Sequence, residues 1–68
     1  MPLEKMQLDT IHAYLRTIVS EDKTSELMGE IQELDSESAQ KLIVLFEQRS
    51  NMKVTEVQKF LKKNKSAA

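Results

Sequence analysis

Ala39-Gln40-Lys41-Leu42-Ile43-Val44-Leu45-Phe46 is the stretch on which the reading of this chain turns, because its last five residues form an unbroken apolar run in an otherwise polar sequence. A run of that length suits a buried strand or part of a helix. Ala39 and Lys41 precede it, and Glu47-Gln48-Arg49 follow without a turn residue, so helix is preferred. At about 100° per residue, Ala39, Leu42, Ile43 and Phe46 gather on one side, while Val44 and Leu45 fall outside that sector on opposite flanks. One core face does not use them both. Either the chain's own helices wrap this segment nearly all round, or a second copy or another protein covers a flank. The two alternatives weigh equally, because a chain this small leaves some of its central helix uncovered.

Just before this segment, Asp35-Ser36-Glu37-Ser38 is a cluster of N-cap residues whose acids suit the positive pole of a helix, which predicts a helix over residues 36–49. Another polar cluster, Ser20-Glu21-Asp22-Lys23-Thr24-Ser25, offers several caps for a helix over about residues 24–34. That helix carries Leu27, Ile31 and Leu34 on one face, with Gly29 near its middle as a weak point. Nearer the amino terminus, Leu8, Ile11, Leu15 and Ile18 recur at three- and four-residue spacing, and Leu3, Tyr14 and Val19 widen the same face. The expected helix spans residues 3–19, with Pro2 suited to its first turn.

Beyond Ser50-Asn51, the residues Val54, Val57, Phe60 and Leu61 resume helical spacing, predicting a last helix from residue 51 or 55 to residue 64. Thr55-Glu56-Val57-Gln58 has the form of a capping box. Lys62, Lys63 and Lys65 suit the negative pole at the far end. The 68 residues include one Gly and one Pro, too little turn punctuation for a many-stranded protein. The expected fold is all-α, a small bundle of three to four short helices completed by self-association. Residues 1–64 form its single domain, and residues 65–68 a frayed tail.

Composition limits how such a chain is stabilised. A domain of this size hides only roughly 60% of its unfolded surface. With no Cys, no Trp, two Phe and four Met, the core must be aliphatic and Met-based, with packing and association as its supports. The first residues lack the basic flank and apolar segment of a secretory signal, and no segment reaches membrane-spanning length, so a cytoplasmic location is expected.

The formal net charge of −1 conceals a polarised chain. Residues 20–37 hold seven acids against one base, a net of −6, whereas residues 38–68 hold seven bases against two acids, a net of +5. Such blocks usually form solvated faces that attract each other when helices pack antiparallel, within one chain or between two copies. A sharper reading assigns Lys59, Lys62, Lys63 and Lys65 to nucleic-acid phosphates, without the aromatic residues or arginines that would read bases. Met52-Lys53-Val54-Thr55-Glu56-Val57-Gln58-Lys59-Phe60-Leu61 resembles the first helix of helix-turn-helix modules, in which a Thr cap precedes an apolar i, i+3, i+4 face. That resemblance implies nucleic-acid binding through a second, recognition helix, for which the residues after Leu61 are too few.

No catalytic constellation can be assembled. His12 is the one imidazole, set between Leu8 and Arg16 on the first helix, and it reads as a partly exposed helix residue. Glu26, Glu30, Glu33 and Glu37 have helical spacings that could imitate a carboxylate metal site, but no His-containing motif accompanies them, so they read as a solvated face. No metal or other cofactor is expected. Methionine more often fills core gaps than marks a binding surface; even so, Met6 and Met28 lie off or beside their helix stripes and are candidates for partner contact. The expectation is therefore a non-enzymatic interaction or regulatory module, a homo-oligomer or the binder of another protein. Its interface would comprise Val44, Leu45, Met6 and Met28, with nucleic-acid binding as the alternative.

Overall fold

The computed structural model describes residues 3–49 and 51–65, the last by its backbone only. Four helices follow in order, α1 (Lys5–Arg16), α2 (Glu21–Ile31), α3 (Ser36–Gln48) and α4 (Val54–Lys65), and no strand occurs among the described residues. α1 packs against α2 and α3, and α3 against α4, within extents of 27 × 24 × 22 Å. All four segments were legible as helices, but their ends moved.

α1 starts later than expected because Leu3 packs half-buried on the core from outside the helix, while Glu4 takes the cap position. It also stops earlier. Ile18 and Val19 both donate their N–H to the Leu15 carbonyl, at 3.0 Å each, tightening the chain where Thr17, Ile18 and Val19 supply β-branched residues that helices disfavour. Ser20 then caps α2, its hydroxyl accepting from the Lys23 N–H at 3.3 Å. The helix begins three residues before the predicted start, which places Glu21 and Asp22 in its first turn near the positive pole. Thr24, the expected first residue, is fully buried inside the helix and donates its hydroxyl to the Ser20 carbonyl at 2.8 Å.

Gly29 is exposed in mid-helix with ordinary helical backbone, and an added Cβ would meet nothing within 4 Å. Gly29→Ala is therefore expected to stabilise the protein by about 0.5–1 kcal/mol, mainly by restricting the unfolded chain. Urea denaturation should show a higher midpoint with an unchanged slope.

Asp35 caps α3, accepting from the Ser38 N–H at 2.8 Å. That bond, with a second from the Ser38 hydroxyl, holds the Asp35 carboxyl below its ordinary pKa of 3.8. A carboxyl depressed on folding adds stability that is present above its unfolded pKa and lost as pH falls through the folded value. Asp35→Asn should keep the cap yet flatten this dependence. Thermal midpoints of the two proteins should converge as pH drops below about 4.

The capping box expected at Thr55 does not form, because α4 begins at Val54 and Thr55 lies within its first turn. The Lys53 carbonyl instead accepts from Glu56 and Val57 N–H groups at 3.0 and 3.3 Å. Packing explains the change: Met52 is buried just ahead of the helix, and this phase turns Val57 and Leu61 into the core with Val54 against its edge. Glu56 is engaged by the Arg49 guanidinium across the α3–α4 connection.

The core joins Ile11 and Leu15, Leu27, Met28 and Ile31, Ala39, Leu42, Ile43 and Phe46, and Val57 and Leu61, with Leu34 and Met52 from the connections. Tyr14 stacks on Phe46 with ring centroids 4.9 Å apart and planes within 1°. Of residues 65–68, assigned to the tail, Lys65 instead closes α4, while residues 66–68 and Pro2 lie outside the described residues.

Candidate interaction surface

The helical angles of α3 are realised as expected on its inner side, where Ala39, Leu42, Ile43 and Phe46 are all buried. Val44 and Leu45 fare differently: Leu45 is half-buried against the core, whereas Val44 remains 36% exposed. Both line one groove of about 810 Å³ along the outer side of α3. Phe60 borders it from α4, and Glu4 and Gln7 border it from α1. The floor also carries Glu37 and Lys41, an i, i+4 pair at 4.0 Å whose exposure makes it weak.

Gln7 closes the α1 end of this groove and was missed by the sequence reading. Only 8% exposed, its Nε2 donates to the Ser36 carbonyl at 3.1 Å and, more weakly, to Gln40 Oε1 at 3.4 Å. Its Oε1 accepts from the Glu4 N–H and the Ser36 hydroxyl, each at 3.1 Å. One amide thus caps the start of α1 and ties it to the start of α3. The signal was its place four residues before Ile11 and eight before Leu15, a polar side chain continuing an apolar stripe.

The two methionines proposed for the interface part company. Met6 is 79% exposed but does not line the groove. Met28 is 9% exposed and belongs to the core, filling space between helices as methionine commonly does, so it offers little to a partner.

Lys59, Lys62 and Lys63 are exposed on α4 as expected, while the Lys65 side chain lies outside the described residues. Among the described residues, none of those three lysines is joined to an acid; the ion pairs are Lys23–Glu26, Glu37–Lys41 and Arg49–Glu56. His12 is half-buried, and no group of three or more His, Cys, Asp or Glu among the described residues could hold a metal ion. No helix among them is long and apolar enough to cross a membrane. No family model matches the chain, and no curated protein or solved structure matches it.

Proposed function

We propose that this chain is a small non-enzymatic interaction module that works by self-association, burying the outer side of α3. The observation that supports this reading is the groove in which Val44, Leu45 and Phe60 come together from two helices, on the side of α3 that the chain's own core leaves open. Exposed apolar side chains set in a concave surface and rimmed by polar groups are what interfaces present. Sedimentation equilibrium across a concentration series tests it. The wild-type chain should show a rising apparent mass, and Val44→Glu should remain a monomer with unchanged helical content. A wild-type protein that stays monomeric at high concentration removes the reading.

A nucleic-acid-binding regulator is the second reading, favoured by the exposed Lys59, Lys62 and Lys63 without an acidic partner among the described residues. Phosphate binding of this kind weakens steeply as salt rises, whereas an apolar helix contact hardly responds. No retardation of duplex or single strands in a low-salt gel shift would eliminate it.

A further inference from the structure

We infer that α1 carries a second contact between copies, an antiparallel seam of α1 on α1 whose two-fold axis lies beside Ala13, with Asp9 of each chain facing Arg16 of the other. It uses none of the residues that line the α3 groove, and so goes beyond the association proposed there. The side of α1 turned away from Ile11 and Leu15 is an uncharged strip. Met6, Thr10, Ala13 and Thr17 follow one another at steps of four, three and four residues, within about 60° around the helix. Met6, Ala13 and Thr17 are exposed and Thr10 is half-buried. Both threonines turn their hydroxyls back onto the helix, Thr10 donating to the Met6 carbonyl at 2.9 Å and Thr17 to the Tyr14 carbonyl at 2.6 Å. Ala13 sits in a shallow hollow of about 540 Å³ bordered by Thr10, Tyr14 and Thr17.

Charge identifies what covers this strip. Asp9 and Arg16 are exposed on one flank of it, about 20° from each other around the helix, and neither enters an ion pair among the described residues. They stand about 10 Å apart along the axis, too far to pair within the helix. A two-fold axis between antiparallel helices keeps each residue on its own flank and inverts its height. With that axis level with the midpoint of residues 12 and 13, Asp9 and Arg16 each lie about 5 Å from it, so each aspartate stands level with the mate's arginine on the flank they share. Moving the axis to the level of Asp9 or of Arg16 sets like charges side by side, which selects against those registers. A parallel mate turns this flank toward that of Gln7 and Tyr14 and leaves the charges unpaired.

The same register suits the apolar groups. Ala13 meets Ala13 at the axis, where small side chains let the helices approach closely. Met6 of each copy reaches about 3 Å past Thr17 of the other along the axis. There Thr17, Ile18, Met52 and Val54 contribute to a second hollow, of about 600 Å³. An exposed apolar knob and a hollow at opposite ends of one helix thus meet in an antiparallel copy. The seam from Met6 to Thr17 is only about 16 Å long. That is short of an interface covering the usual ~800 Å² per partner, so the contact is weak, leaves the sedimentation of a Val44→Glu chain unchanged, and is best read by trapping.

The chain has no cysteine, so one introduced thiol reports on the seam. Ala13→Cys places two thiols within disulfide reach across the axis. Under copper-catalysed air oxidation of the full chain, it should give covalent dimer about tenfold or more faster than Ser25→Cys, an exposed α2 position that sets the rate of chance encounter. Thr17→Cys, whose two copies stand about 13 Å apart in height, should be no faster than Ser25→Cys. Adding Asp9→Arg or Arg16→Asp to Ala13→Cys should slow trapping toward the Ser25→Cys rate, and adding both should restore it. Adding Val44→Glu should leave the rate unchanged. Circular dichroism confirms that each variant is folded. Trapping of Ala13→Cys no faster than that of Ser25→Cys overturns the contact. Equal trapping at Thr17→Cys, or no recovery in the double reversal, overturns the register, and loss of trapping with Val44→Glu overturns its independence from α3. A wild-type chain that sediments as a monomer while Ala13→Cys is still trapped removes the α3 reading and supports this one.

Discussion

Leu42→Ala should leave this protein on the edge of unfolding at room temperature. Leu42 is fully buried in the core cluster, on the helix that packs against both α1 and α4. Truncating a buried leucine costs about 2–5 kcal/mol, the cavity contributing as well as the lost transfer. At roughly 0.05–0.15 kcal/mol per residue, a chain of this length has only about 3–10 kcal/mol in total. The thermal midpoint should fall by roughly 10–30 °C, read by circular dichroism at the helical band. Leu42→Met, which nearly conserves volume, should cost less than about 1.5 kcal/mol. A Leu42→Ala midpoint within a few degrees of wild type would mean that α3 is not held by this core.

The second large effect is expected at Gln7. Gln7→Leu fills the same space but withdraws both halves of the amide. The Ser36 carbonyl and hydroxyl and the Glu4 N–H then lose partners in a partly buried site. Leaving such groups unsatisfied costs about 1–3 kcal/mol each where water cannot reach them, and less where it can. The site opens into the α3 groove, so a total of about 2 kcal/mol is expected, measured by urea denaturation. Ser36→Ala should cost less in the Gln7→Leu background than in wild type, because the two side chains share one hydrogen bond; additive losses would show that the contact carries no coupling. This pair also separates stability from association. Val44 lies in the same groove but makes no contact on which the core depends, so its substitution should act on the dimer and leave the urea midpoint nearly unchanged.

Much of the candidate surface was open to sequence reasoning because it depends on one helix. Once residues 36–48 are helical, the division of Leu42, Ile43 and Phe46 from Val44 and Leu45 follows from 3.6 residues per turn, and the structure retains it. Where the neighbours stop is a different matter. Leu45 packs against the core while Val44 stays 36% exposed, and the neighbours that border the two are Phe60 on α4 and Gln7, which anchors the start of α1 at Ser36. Met28 illustrates the same limit, since a residue at the flank of an apolar stripe is core or surface according to the width of the opposing helix.

The sequence by itself determined the helical class, the four segments and the buried side of each, because periodicity and cap clusters act within a few residues of chain. Tertiary structure alone decided which of several competent caps is used. Ser20 prevails where Thr24 is needed inside, and α4 begins at Val54, ahead of Thr55, with Met52 buried just before it and Val54 packed at the core's edge. It also made Gln7 the tie between two helices, a role set by a carbonyl 29 positions away.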